Sequence, residues 1–259
     1  MRVRAGTSGF SYAGWKGSFY PEDCAASDML AFYAGKLSTV EINNTFYRMP
    51  KADVVHGWRE QVPPDFRFSL KASRRITHFS KLRDVADSVA VLFKVSAILE
   101  DRLGAMLFQL PPFLKRDVPL LRDFLATLPH GCHAALEFRH ESWFADDVFA
   151  VLSEKNAALV TGDAEKADKS PPFVATASFG YLRLRSEDYS DAAIGEWAER
   201  ISAQRWSEAF AFFKHEDKGP AFAARLGELT EKPGVARAKG HKPSLSKPRS
   251  PAKKRQKSG

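Results

Sequence analysis

The fold the sequence predicts is a (β/α)8 barrel of TIM type, a single α/β domain followed by a disordered basic tail. Three observations predict it. Eight short strand-like runs occur along the chain, and nearly every one is followed by an amphipathic helical stretch. The alternation occupies roughly 230 residues, close to the roughly 250 typical of such barrels. Regular β-α alternation also favours a parallel sheet. A doubly wound open sheet is the weaker alternative, because no G-x-G-x-x-G turn follows the first strand. The stretch GTSGFSYAGWKG is rich in glycine, but its spacing fits neither a dinucleotide fingerprint nor a P-loop.

The elements read in order as follows. VRAGTS is a strand, and SDMLAFYAGKL a helix with Ser27 as its expected N-cap. STVEINNTF is strand-like and ADVVHGWREQV helical. FRFSLKAS is a strand, followed after a loop by one long helix, DVADSVAVLFKVSAILEDRL. GAMLFQL is a strand stopped by Pro111 and Pro112, and DVPLLRDFLATL is helical. HAALEFR and DDVFAVLSEKN form the fifth pair. AALVTGD is the sixth strand, and the region from Glu165 to Phe179 reads as a loop in place of the sixth helix. GYLRLRS and DAAIGEWAERISAQ follow, then EAFAFFKHE and PAFAARLGELT.

Composition supports a globular body and excludes several classes. Of 259 residues, 44% are apolar and 27% charged, and 20 are Phe, enough for a sizeable core rather than a disordered or collagenous chain. No apolar run approaches the roughly 18 residues of a membrane span. MRVRAGTSGF lacks the apolar core of a secretory signal. Cys24 and Cys132 are isolated, so they read as reduced thiols and the expected location is cytoplasmic.

The net charge of +8 is unevenly spread. Residues 231–259 hold ten Lys or Arg and one acidic residue, whereas residues 1–230 hold 29 basic and 30 acidic side chains. The domain is expected to end at residue 231. Residues 232–259, rich in Lys, Pro and Ser, are too poor in apolar groups to offset the entropy of ordering. Such a tail can hold nucleic acid nonspecifically. It can equally be a solvated extension with no dedicated partner.

Catalytic residues of a barrel sit at the carboxyl ends of the strands. The period of two along a strand groups the polar residues found there by face. Glu41 pairs with Asn43, Ser69 with Lys71, Glu137 with Arg139 and Arg183 with Arg185. Gln109, Asp163 and Lys214 end three further strands. His78, His140 and Trp143 lie on the loops that follow, and Tyr12, Trp15, Tyr47 and Trp143 either wall a pocket or cover the barrel. Ionisable groups in otherwise apolar strands need partners or cost several kcal/mol each. The expectation is a polar cup of carboxylates, cations, amides and aromatics. A purely structural ion network is the alternative for any one of them.

These residues fall in motifs that together resemble the YecE-like family (domain of unknown function 72). They are GTSGFSYAGWKGSFYP, TVEINNTFYRMP, FRFSLKAS…ITH, LFQLPP, LEFRHESW, GYLRLR and FFKHED, in that order, from Gly6 to the last helix. The resemblance implies a TIM-type barrel. It also implies a cleft built from Glu41, Asn43, Thr45, Tyr47, Lys71, His78, Gln109, Glu137, Arg139, His140, Trp143, Asp163 and Arg183. It implies no reaction, although members have been likened to barrel endonucleases acting at abasic sites, an analogy of fold alone. Phe10 stands where the family pattern leads one to expect Trp, and LRLRSE replaces LRxHG.

Three function classes follow. The first is an enzyme acting on an anionic or phosphorylated small molecule, bound by Arg183, Arg185, Lys214 and the helix opened by Gly219 and Pro220. Glu41 and Glu137 are then the expected acid-base pair, with His78 and His140 as alternatives and Lys71 as a possible Schiff-base amine. The second is a metal-dependent phosphodiesterase or endonuclease drawing ligands from Glu41, Glu137, Asp163, His78, His140 and His215. A divalent metal is the one cofactor considered, but no strong ligand motif is present and the interleaved cations oppose it. The third is a glycosidase-like or non-catalytic binding barrel. The sequence leaves the oligomeric state open.

Overall fold

The computed structural model describes residues 1–163, 170–214 and 216–231. The basic tail and the tail boundary lie outside the described residues. Eight parallel strands close in sequence order into one barrel. They are β1 (Arg2–Ser8), β2 (Thr39–Ile42), β3 (Arg67–Lys71), β4 (Leu103–Gln109), β5 (Ala134–Glu137), β6 (Ala158–Gly162), β7 (Phe179–Leu184) and β8 (Glu208–Phe213). β1 pairs with both β2 and β8, which closes the ring.

Helices cover the outside: α1 (Met29–Ala34), α2 (Ala52–Glu60), α3 (Ala86–Ser96), α4 (Val118–Ala126), α5 (Asp146–Glu154), α6 (Asp191–Ser202) and α7 (Gly219–Thr230). β2, β6 and β7 are buried along their whole length, as parallel strands covered on both faces must be. One apolar cluster fills the barrel bore around Leu107, Val160, Phe179, Phe210 and Phe212. A larger one packs the strands' outer faces against the helices. No described helix is long and apolar enough to cross a membrane.

Several local expectations change. α1 is capped at Asp28, and the Ser27 hydroxyl bonds the Asp28 carboxylate instead of the helix backbone. The second strand stops at Ile42, because Asn43 turns into the helical region and Asn44–Phe46 forms a 3-10 turn. The long third helix ends at Ser96 and continues as a 3-10 segment, Ala97–Arg102, within which Glu100 takes a positive φ of 49°. Between β6 and β7, residues 170–178 contain no helix. The caps at Asp117 and Ser190 are conventional, each side chain accepting from a backbone N–H three residues on.

Candidate functional site

Register decides which polar side chains meet. Ser8, Glu41 and Ser69 stand side by side on β1, β2 and β3. Gln109 faces Glu137 across β4 and β5, and Gly162 faces Arg183 across β6 and β7. Gly162 is a structural requirement here. Its φ is +143°, and a Cβ would stand 2.2 Å from the Arg183 carbonyl oxygen. β6 therefore approaches β7 closely beside the arginine.

Glu41 is the centre of the network and is fully buried. Its carboxylate accepts from Ser8 Oγ at 2.8 Å, Asn43 Nδ2 at 3.0 Å, Tyr181 Oη at 2.8 Å and Arg183 Nη2 at 2.9 Å. Arg185 Nη2 lies 3.5 Å away. Burial alone raises this carboxyl, but Arg183, then Arg185 and the Tyr181 hydroxyl outweigh it, so its pKa lies well below the usual carboxylate range. Glu137 accepts from Gln109 Nε2 at 3.2 Å and pairs with Arg139 Nη2 at 2.6 Å. Its other oxygen accepts from Arg183 Nη1. Burial again works against ionisation and the arginines win, so the Glu137 pKa is lowered. Both carboxylates are thus anions whose oxygens are already engaged. That suits holding arginines in place and ill suits the acid-base pair expected from the sequence.

The cations form the other half. Arg183 bridges the two carboxylates and its pKa is raised: burial opposes the charge, but Glu137 and Glu41 outweigh it. Arg185 donates to Ser8 Oγ at 3.2 Å. Four buried polar atoms in this cluster make no hydrogen bond: Asn43 Oδ1, Ser69 Oγ, Arg183 Nε and Arg185 Nη2. Buried polar atoms are nearly always satisfied, so an unpaired set gathered in one place points to a bound group or water.

Lys71 ends β3 with its Nζ 4.3 Å from the centroid of the Phe46 ring. Burial, reinforced by Arg183, pulls its pKa down to about 8 against the pull of Glu137 and Glu41. His78 packs edge-to-face on the same Phe46 ring at 4.9 Å and bonds Thr77 Oγ1 through Nδ1. Burial and then Lys71 lower its pKa. Tyr12 folds over β1, donating to the Ser8 carbonyl at 2.7 Å. Burial and then Glu41 raise its pKa. Gly9, at φ +97°, leaves room for that phenol, since a Cβ would stand 2.4 Å from its oxygen. Tyr47 is 66% exposed, packs edge-to-face against Phe46 and lies under Arg74.

Other expected site residues fall elsewhere. Trp143 is fully buried, stacked on Phe138 at 4.6 Å with its indole N–H donating to the Leu114 carbonyl. Trp15 is buried in an aromatic cluster with Tyr12, Phe19 and Tyr20. Neither tryptophan walls the cup, because large apolar rings gain more from the packing under the loops. Asp163 accepts from the backbone N–H groups of Arg185 and Ser186 and from Tyr189 Oη, so it shapes the turn after β7. His140 caps a 3-10 turn, its Nδ1 accepting from Ser142 N–H. Lys214 pairs with Glu216 at 3.1 Å. The opening of α7 offers little to an anion, since Gly219 N–H donates to the Glu216 carbonyl and Pro220 has none.

The metal reading loses its main ligands to these interactions, and among the described residues no three His, Cys, Asp or Glu side chains converge to hold an ion. His215 lies outside the described residues. Two members of the network went unselected at the level of sequence, Tyr181 and Ser8. Tyr181 could have been found, because it shares the period-two face of Arg183 and Arg185. Ser8 carried no such signal.

Two open pockets lie at the carboxyl ends of the strands. One, of about 510 Å³, is lined by Tyr47, Met49, Ser73, Arg75, Asp87 and Leu92 among others. The second, of about 320 Å³, is lined by Asp163, Ser186, Tyr189 and Trp197 among others. Neither of these two is lined by Glu41, Glu137 or Arg183.

Comparison with known proteins agrees with this architecture. The chain is 40% identical over 114 residues to the UPF0759 protein YecE of Escherichia coli K12, covering 44% of this chain and 42% of that protein. It is 31% identical over 140 residues to the UPF0759 protein YunF of Bacillus subtilis 168, covering 49% and 48%. These matches span about half the length of either relative. A DUF72 family protein from Thermotoga maritima superposes with a TM-score of 0.76 at 25% identity, covering 88% of this chain and 98% of that one. Another from Enterococcus faecalis V583 superposes at 0.72 with 18% identity, covering 88% and 95%. Residues 4–247 match the family described as "Protein of unknown function DUF72", a span that runs past the boundary expected at residue 231. With the barrel, the ordered motifs and this match together, the chain belongs to the DUF72 family.

Proposed function

We propose that the protein is an enzyme acting on a small anionic molecule, such as a phosphate ester or carboxylate, held over the arginine cluster at the carboxyl end of the barrel. One observation carries the reading. Lys71, Arg139, Arg183 and Arg185 surround only two carboxylates, and the buried Arg183 Nε and Arg185 Nη2 make no hydrogen bond, the latter lying only at ion-pair distance, 3.5 Å, from Glu41. The cluster therefore holds an excess of positive charge and unused N–H groups. An anionic oxygen satisfies both, and guanidinium groups bind such oxygens in directed, charge-assisted fashion. Glu41 and Glu137 serve as the scaffold that fixes the arginines. Proton transfer falls to His78, which burial and then Lys71 hold further toward the neutral, proton-accepting form, beside the same Phe46 ring as the Lys71 amine.

The test is thermal unfolding of the full chain with inorganic phosphate, phosphorylated sugars, carboxylates and neutral sugars. A ligand at a hundred times its Kd stabilises by about 2.7 kcal/mol, which is readily seen. Anions are expected to raise Tm, neutral sugars to leave it unchanged, and Arg185→Gln to remove the rise. An equal rise with neutral sugars, or none with any anion, overturns the reading.

A further inference from the structure

We propose that Lys71 is a carbonyl-capturing amine, and that the substrate is an anionic aldehyde or ketone which forms an imine with its Nζ. The inference rests on the anion-binding reading above and names the substrate class for that same site.

The geometry sets Lys71 apart from the other cations. Arg139, Arg183, Arg185 and Lys214 each have a carboxylate within ion-pair distance. Among the described residues, Lys71 has none. It stands at the last position of β3, where a barrel presents its reactive groups. Its Nζ rests on the Phe46 ring instead of on an anion. An amine meant only to hold charge gains most from a carboxylate partner. Burial first, and then Arg183 and Arg139, push the Lys71 amine toward its neutral form, against the pull of Glu137 and Glu41 and of the Phe46 ring face, which favours the cation. A neutral amine is the form that attacks carbonyl carbon.

The remaining parts are nearby. Arg183 and Arg185 provide the anchor for the substrate's anionic group. His78 shares the Phe46 ring with Lys71 and is itself shifted toward the neutral form, by burial first and then by Lys71. In the reaction, the Nζ lone pair adds to the carbonyl carbon while the C=O π pair moves to oxygen. A proton passes from nitrogen to that oxygen, giving a carbinolamine. The hydroxyl then takes the nitrogen's remaining proton and leaves as water, and the nitrogen electron pair closes the C=N bond. His78 is placed to carry these protons. No oxidant, reductant or metal is needed to balance the step. The imine is an electron sink, so the downstream chemistry is bond-making or bond-breaking at the adjacent carbon.

The experiment is reductive trapping. The full chain is incubated with glyceraldehyde 3-phosphate or with glyceraldehyde, treated with borohydride, digested and mapped by mass spectrometry. Inorganic phosphate binding is measured in parallel by thermal shift. The expected result is preferential labelling of Lys71 by the phosphorylated aldehyde, at least tenfold faster than at other lysines, with a midpoint near pH 8. Lys71→Arg is expected to abolish that label, whereas Trp143→Phe, outside the cup, is expected to keep both the label and the phosphate-induced rise in Tm. Phosphate binding with no preferential label at Lys71, or a midpoint near the ordinary lysine value, overturns the amine role and leaves the anion reading intact. Equal labelling of Lys71 by both aldehydes, without phosphate binding, keeps the amine and overturns the anchor, and the substrate class with it.

Discussion

Arg183 and Glu41 meet 2.9 Å apart inside the barrel although 142 residues separate them in the chain. The same guanidinium reaches Glu137 with its other terminal nitrogen. One side chain from β7 thus ties β2 to β5 across the mouth of the barrel, and each of the three charges depends on the other two.

Removing the arginine leaves two buried anions without their common partner. Breaking a buried ion pair from one side costs about 3–5 kcal/mol. Arg183→Gln is expected to destabilise by that order in urea unfolding. Adding Glu41→Gln and Glu137→Gln is expected to recover much of the loss, because the uncompensated charge goes with them. A single variant as stable as the parent would refute the linkage.

The same network sets the acid response. Glu41 and Glu137 have folded pKa values below the roughly 4.3 of an unfolded glutamate. Their contribution is present above that unfolded value and is lost as pH falls through the folded values. Stability is expected to fall below about pH 5, where the unfolded chain begins to bind protons that the folded chain refuses. In the Arg183→Gln, Glu41→Gln, Glu137→Gln triple variant that slope flattens, as urea titrations between neutral and acid pH would reveal.

Two glycines should respond in opposite ways to alanine. Gly162→Ala drives a Cβ into the Arg183 carbonyl oxygen at a φ of +143° and is expected to cost more than 1 kcal/mol, on the order of 1–3 for the backbone strain alone. Gly195 lies within α6 with nothing within 4 Å of its would-be Cβ. Gly195→Ala is expected to stabilise by about 0.5–1 kcal/mol. Thermal unfolding of the two variants side by side checks both signs.

Trp143 distinguishes packing from binding. Trp143→Phe keeps a ring against Phe138 but loses the 2.7 Å bond to the Leu114 carbonyl. A loss of about 1 kcal/mol is expected, together with the small void left by the smaller ring. Phosphate binding, measured by thermal shift, is expected to be unchanged. A variant of ordinary stability with altered anion affinity would return this residue to the cup.

The sequence by itself determined the barrel. Eight strands, nearly all followed by a helix, leave few alternatives, because each buried strand reads as an apolar run and each helix as an amphipathic one. It also assembled most of the charged cluster, since Glu41, Lys71, Glu137, Arg139, Arg183 and Arg185 each stand out against an apolar strand. Closure of the ring decided the rest. Whether a carboxylate is a free base or an arginine's partner depends here on Arg183, 142 positions from Glu41 and 46 from Glu137, and no local pattern encodes either distance. Hence Glu41 and Glu137, expected as an acid-base pair, have their oxygens filled by donors, whereas Lys71 stands without a carboxylate among the described residues. Trp15 and Trp143 follow the same logic: an aromatic on a loop reads the same in sequence whether it walls a cleft or covers the barrel. Only the tertiary packing shows that Trp15 and Trp143 are buried, where their apolar area stabilises the loops rather than facing a ligand.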